Sequence, residues 1–512
     1  MEKSRKILAT AAVVLAAALA GPAAQGGTIP ATNIILMISD GQGFNAIRAA
    51  EYYTGSPAVY QSFPVKLAMQ TNSANNPAGY SPAAMAGDFN YAKSGATDSA
   101  SAATAMYTGV KIKDGVINIT PGGTPLKTYF EKAADYGKSV GAVSSVQISH
   151  ATPGAVYGHN SSRNNYAAIG YEGVYGSNPL DNLSNSSSNP QAGNNALYDA
   201  MNYNGNLKVL MGAGHGDYND NNQSNVSSTN RYPGGDAAWA DIIDGTAPNG
   251  WTFIDAKGDF EAVANGTLNP DKLLGIAQVN STLQQSRSAG NPLNTNVPTL
   301  ETMTKAALNV LDNNPNGFAV MIEGGAVDWA GHANQLDRLI EEQTDFDNAV
   351  QAVCDYLDAG ANGNNWSNTL LIVTADHETG HLWGAADGSA GYFDVNGNGT
   401  FDAGVDYAYM ADNGLGVLPG AQFHSTNHTN VLVPLYAKGA GADAFLNEII
   451  GADPNLAGYY NLDPQAWTGA YIDNTAIARV MDSSIPEPAT MALLALAGSA
   501  LGGYARRRRA AA

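Results

Sequence analysis

Four short apolar runs constrain this chain more than any other feature: Asn33 to Ile38, Ser139 to Val146, Gly317 to Ile322 and Thr369 to Thr374. Each is rich in β-branched residues and bounded by turn-forming ones. That is the pattern of a strand buried on both faces, since a strand with one wet face would alternate apolar and polar residues. Helix-compatible stretches lie between them, among them Pro125 to Tyr136, Thr299 to Leu311 and Leu336 to Leu357. Strands alternating with helices predict an α/β fold, a three-layer α/β/α sandwich around a mostly parallel central sheet. Ligands of such sheets bind beyond the carboxyl ends of the strands.

Those four ends carry chemistry. The first run leads into Ser39-Asp40-Gly41-Gln42-Gly43, the second into His150-Ala151-Thr152, the third into Glu323-Gly324-Gly325 with Asp328 and His332, and the fourth into Asp376-His377-Glu378. A lone aspartate or histidine is usually a cap or a hydrogen-bonded structural residue. Four strand ends that deliver carboxylates and imidazoles to one sheet edge point instead to metal ions. Asp328 and His332 are four apart, so one helical turn puts both on one side. Asp with imidazole suits zinc, Asp376-His377 is a second such pair, and His428 is a candidate third ligand for the first. Asp40 and Glu323 supply the hard oxygens that magnesium prefers.

The stretch Ser94 to Ala105 follows a polar loop and opens a run of small, helix-compatible residues. It places Ser99 at a helix N-terminus, where backbone N–H groups and the helix dipole favour negative charge. Close packing of small side chains is the other reading of such a run.

The balance of 25 basic against 45 acidic residues, a formal net charge of -20, repels nucleic acid and excludes a phosphate-backbone binder. The single cysteine, Cys354, rules out intramolecular disulfides and thiolate metal clusters and reads as a small buried side chain on a helix. Lys3, Arg5 and Lys6 ahead of the apolar run Ile7 to Ala20 form a secretory signal peptide over residues 1–24. At the other end, residues 485–512 combine Pro486-Glu487-Pro488, an apolar run from Met491 to Leu501 and Arg506 to Arg509. This tail resembles the PEP-CTERM protein-sorting signal. It implies a Gram-negative source, export to the periplasm, cell surface or extracellular matrix, and transient membrane anchoring before the tail is removed. An ordinary C-terminal anchor is the alternative.

The span between, residues 30–480, is long enough for one large α/β domain or two ordinary ones, and two stretches of it read as loop insertions, at about 160–235 and about 384–420. The first is rich in Asn, Ser, Gly and Tyr. The second holds Asp394, Asn396, Asn398, Thr400 and Asp402, with Asp406 beyond, in the spacing of a calcium loop. Val405 occupies the position where such a loop carries its last acid, which leaves a plain Asn/Gly turn as the alternative to bound calcium.

Taken together, Asp40-Gly41-Gln42-Gly43, Thr97 to Ala105, His150 to Pro153, Ser162-Arg163, Glu323 to His332, Thr374 to Gly380, and His428-Thr429 with Val433 to Ala437 resemble the alkaline phosphatase family over most of residues 33 to 440. The resemblance implies an alkaline-phosphatase-like fold and hydrolysis of phosphate monoesters through a phosphoserine on Ser99, with Arg163 gripping the phosphate. It implies a first zinc held by Asp328, His332 and His428, a second by Asp40, Asp376 and His377, and a third metal by Asp40, Thr152 and Glu323. The third is usually magnesium. His150, where some members have aspartate, makes zinc or cobalt more competitive there, as a direct ligand or as a partner behind the ligands. A homodimer is a family expectation. Two alternatives stay open: a phosphodiesterase of the same superfamily, and a non-catalytic surface protein on the same scaffold.

Overall fold

The computed structural model describes residues 31–176, 205–224 and 232–485. The signal peptide expected over residues 1–24 and the tail beyond Ile485 lie outside the described residues. The central sheet has eleven strands: β1 (Asn33–Ser39), β2 (Val65–Gln70), β3 (Ser139–Gln147), β4 (Leu207–Ala213), β5 (Thr252–Ile254), β6 (Leu273–Ile276), β7 (Phe318–Gly324), β8 (Thr369–Thr374), β9 (Val433–Gly439), β10 (Ile449–Ala452) and β11 (Ala470–Asp473). They lie in the order β10-β11-β2-β9-β8-β1-β7-β3-β4-β6-β5. All run one way except β9 and β10. The four runs singled out in the sequence are β1, β3, β7 and β8, and they sit side by side at the centre. Their ligand-bearing ends therefore open onto one edge.

The pleat divides each of these strands between two cores. Ile35 and Met37 of β1, Val320 and Ile322 of β7, and Leu371 and Val373 of β8 face one layer. Ile34, Leu36 and Ile38, Ala319 and Met321, and Leu370 and Ile372 face the other. Side chains alternate at period two, so a strand apolar throughout needs helices on both sides. The helices Leu300–Leu311 and Leu336–Ala359 cover the first face. The helices Ser99–Thr108, Tyr129–Asp135, Ala151–Tyr157 and Thr475–Asp482 cover the second. The small residues of Ser99–Thr108 let it lie close to both Ala151–Tyr157 and Thr475–Asp482, so the packing reading of that run holds for its body.

The first loop insertion needs correction. Within residues 160–235 the chain forms the helix Tyr166–Tyr175 and the strand β4, which pairs with β3 and β6 and is almost wholly buried. Residues 207–213 are thus an integral strand of the sheet. Residues 177–204 and 225–231 lie outside the described residues. The region 384–420 carries a short antiparallel pair, Tyr392–Phe393 with Tyr407–Ala408, and an antiparallel bridge between Ala411 and Gly420 among its loops. Its Asp394 to Asp406 segment is closed by internal hydrogen bonds. Asp394 accepts from the N–H groups of Gly397 and Gly399, each at 2.7 Å. Asn396 and Asn398 donate to Asp402, and Asp406 accepts from Val395 and Asp402. Thr400 donates to Asn398 through both N–H and hydroxyl. These bonds hold Asp394, Asn396, Asn398, Asp402 and Asp406 together in one compact loop. Cys354 is buried on the helix Leu336–Ala359, and burial pushes its thiol up to about 12.

Candidate metal and phosphate site

Asp40 leaves the end of β1 and is fully buried. Gly41 follows with φ +79°, and a Cβ there would meet Asp328 Cα at 2.6 Å. Its N–H donates to Asp376 Oδ1 at 3.2 Å and its carbonyl accepts from the Thr379 N–H at 3.0 Å. A left-handed turn with no side chain is thus what lets three ligand-bearing segments touch. Gly41→Ala is expected to cost about 2–4 kcal/mol, from the strained backbone and the overlap together. It should lower both melting temperature and activity; a variant with native values of both would contradict this role.

Asp328 and His332 lie on the short helix Ala326–His332 that follows β7. His332 Nδ1 is 2.6 Å from the Thr426 carbonyl, and His428 Nδ1 is 2.8 Å from the Thr97 carbonyl. A carbonyl only accepts, so each Nδ1 carries the proton and each Nε2 offers a lone pair. The two Nε2 atoms face each other at 3.0 Å. Asp328 Oδ1 sits 3.3 Å from one and 3.4 Å from the other. Three acceptors this close repel unless a cation or proton lies among them. Without a metal that demand falls on protons. Burial opposes a charge on His428, but Asp328 outweighs it and raises the imidazole to about 9.

The second group forms around His377 Nε2, which is 3.3 Å from Asp376 Oδ2, 3.5 Å from Asp40 Oδ1 and 3.3 Å from Ser99 Oγ. The third brings Asp40, His150 and Glu323 together, with ligand atoms all within 4.8 Å of one another. Thr152, the second residue of the helix Ala151–Tyr157 that follows His150, is fully buried beside them. Both Asp40 oxygens, Asp376 Oδ2, Glu323 Oε1, His150 Nδ1 and Thr152 Oγ1 are buried without a hydrogen bond. Burial costs an ionised carboxylate its hydration, and mutual repulsion adds to that cost. Burial, then Asp376, pushes Asp40 well above the ordinary carboxylate range. Burial raises Glu323 to about 8 and Asp376 to about 6. It also depresses His150 to about 3. A pocket of orphaned oxygens and imidazole nitrogens, each short of a positive partner, fits divalent cations.

Ser99 is the first residue of its helix, and Asp98 caps that helix by accepting from the Ser101 N–H at 2.9 Å. Asp98 also holds Arg163, NH1 to Oδ2 at 3.0 Å. Burial opposes charge on both partners, yet the pairing keeps Asp98 below and Arg163 above their usual ranges. Arg163 NH2 is 3.4 Å from His150 Nε2. Ser99, Arg163, His150, Asp328, His332 and His428 line one open cleft of about 600 Å³. A separate groove of about 330 Å³ along the helix Leu336–Ala359 contains none of these residues.

All the residues expected at the site gather here, with His150 directly among the donors. Two partners, Ser144 and Gln285, carried no recognisable signal in the sequence, and Thr379 showed only as a member of the stretch Thr374 to Gly380. Thr379 donates to Asp328 Oδ1 at 2.5 Å, Ser144 donates to Glu323, and Gln285 lines the cleft. The remaining histidines serve the fold. His381 reaches the Phe89 carbonyl at 3.1 Å, His424 packs on Phe89, His215 pairs with Asp255 at 3.1 Å, and His159 lies between Glu131 and Glu172.

The family model described as alkaline phosphatase matches residues 31–403, and that of the PEP-CTERM protein-sorting motif matches residues 484–509. Alkaline phosphatase 3 of Bacillus subtilis is 26% identical over 370 residues, covering 70% of this chain and 64% of the relative. The chain therefore spans just under two thirds of that protein's length. Alkaline phosphatase H of Pseudomonas aeruginosa is 29% identical over 368 residues, covering 68% of this chain and 69% of the relative. Among solved structures, the alkaline phosphatase of the Antarctic bacterium TAB5 superposes with a TM-score of 0.56 at 23% identity, covering 89% of this chain and 98% of that one.

Proposed function

Because this chain belongs to the alkaline phosphatase family, we propose that it hydrolyses phosphate monoesters to alcohol and inorganic phosphate through a phosphoserine on Ser99. The observation that carries the reading is the set of buried, unpartnered donors converging around Ser99 and Arg163.

Asp328, His332 and His428 would hold one zinc ion, and Asp40, Asp376 and His377 a second beside Ser99. Asp40, Glu323, Thr152 and His150 would hold a third ion, magnesium or, with the imidazole present, zinc or cobalt. Bound there, such ions supply Lewis acidity that lowers the pKa of the serine hydroxyl and steadies charge on the leaving oxygen. Ser99 Oγ, aimed from a helix N-terminus, attacks phosphorus in line with the ester oxygen. The P–O bond to the alcohol breaks, and the phosphoryl group passes to Ser99. Water then attacks the phosphoserine from the side the alcohol has left; the P–O bond to Ser99 Oγ breaks, inorganic phosphate leaves, and the serine oxygen takes back a proton. Arg163, fixed on one edge by Asp98, turns its other N–H groups to two non-bridging oxygens, a fork that lysine could not reproduce. Thr379 and Ser144 orient Asp328 and Glu323.

The PEP-CTERM motif supports export from a Gram-negative cell. Among the described residues no helix is long and apolar enough to cross a membrane, so anchoring would rest with the tail. Rates on p-nitrophenyl phosphate and bis-p-nitrophenyl phosphate test the reaction class. Faster monoester cleavage is expected. Faster diester cleavage would assign the site to a phosphodiesterase, and no cleavage of either by metal-loaded protein would favour a non-catalytic scaffold.

A further inference from the structure

We propose that the mouth of the cleft selects monoesters whose alcohol carries a planar aromatic ring, through a wall formed by Tyr166 and Trp329. The inference rests on the monoesterase reading above, because it concerns the alcohol half of the same substrate. Ser99 lies on the floor, 1% exposed. In-line attack directs the ester oxygen away from Ser99 and toward the mouth. The alcohol must therefore lie against the more exposed residues lining the cleft, Asn164, Tyr166, Trp329, His332 and Ala333.

Two aromatic rings flank His150 there. Tyr166 lies nearly parallel to the imidazole, 12° between planes at 6.2 Å, and Trp329 meets it edge-on at 5.8 Å. Tyr166 is braced from behind by Tyr232 at 5.6 Å and 87°. Its ring is thus held in place before substrate arrives, so little conformational entropy is lost on stacking. Both rings are only half-buried. Among the described residues lining the cleft, the ionisable side chains besides Tyr166 are His150, Arg163, Asp328, His332 and His428, the groups placed around the metals and the phosphate. Beside these groups the cleft presents the half-buried rings of Tyr166 and Trp329, which suit a nucleobase or another aromatic group.

Adenosine 5′-monophosphate and ribose 5-phosphate present the same primary-alcohol leaving group and differ by the base, so their kcat/KM ratio isolates the wall from leaving-group chemistry. Stacking on one ring should favour the nucleotide by about 10-fold. Phenyl phosphate against ethyl phosphate, corrected for leaving-group pKa, tells whether a ring attached directly to the ester oxygen is recognised as well as one carried on a ribose. The ratio should survive Tyr166→Phe and fall to about one in the Tyr166→Leu/Trp329→Leu double variant, with circular dichroism confirming that both fold. Adenosine binding to metal-loaded protein, followed by tryptophan fluorescence, gives a readout independent of turnover. Hydrolysis of both esters at equal efficiency, or a ratio unchanged in the double variant, overturns the wall and leaves the monoesterase reading intact. Adenosine bound by the native protein but not by the double variant, with no monoester cleaved, upholds the wall and overturns the monoesterase reading.

Discussion

Stripping the protein with a strong chelator is expected to abolish phosphate release and to lower the melting temperature by several degrees. Four carboxylates, Asp40, Glu323, Asp328 and Asp376, converge at the site, each at most 4% exposed. Without cations the first, second and fourth hold their protons well above ordinary carboxylate pH. That is the signature of a pocket too negative for its own burial. A cation that binds the folded form alone stabilises it by about 4 kcal/mol when present at 1,000 times its Kd. The same linkage makes metal loading release protons, and more of them as the pH falls toward the carboxylates' raised range. Zinc with magnesium should restore activity and stability together. If chelated protein keeps its activity, or if add-back restores stability without turnover, the metal roles assigned here are wrong.

The second large effect is at the nucleophile. Ser99→Ala removes the one hydroxyl placed at the helix start beside His377 and in the Arg163 cleft. It is expected to lower kcat by about 10³-fold or more, since the covalent route closes and only direct attack by water remains. The fold should tolerate the change. Among the described residues the Ser99 hydroxyl hydrogen-bonds only to His377, and Asp98 keeps its cap through Ser101. The variant should therefore melt near the native temperature and bind the same metals. A collapse of metal content in Ser99→Ala would mean that the loss of activity reported structure rather than chemistry.

What could be read from the sequence follows from which interactions are local. The strands β1, β3, β7 and β8 announced themselves because a strand buried on both faces is apolar at every position. Their ends were legible because an acid or histidine after such a run breaks the pattern. β4 did not stand out. Lys208 and Gly212 interrupt a short run set within Asn-rich sequence, and only its pairing with β3 and β6 makes it a strand. The ligand side chains could be named, but not what aims them. The carbonyls of Thr97 and Thr426 fix the two imidazoles, and a backbone carbonyl leaves no trace in sequence. Thr379 and Ser144 are ordinary residues until the fold brings Asp328 and Glu323 to them. Tyr166 and Trp329 are far apart in the chain, and only packing on His150 makes them one surface.

The most direct test is to mix metal-loaded protein with a phosphate monoester, quench in acid within the turnover time and map phosphate by mass spectrometry. A phosphoryl group on Ser99, absent from Ser99→Ala and lost as turnover ends, is the predicted result. Steady turnover with phosphate on another residue, or on none, would contradict it.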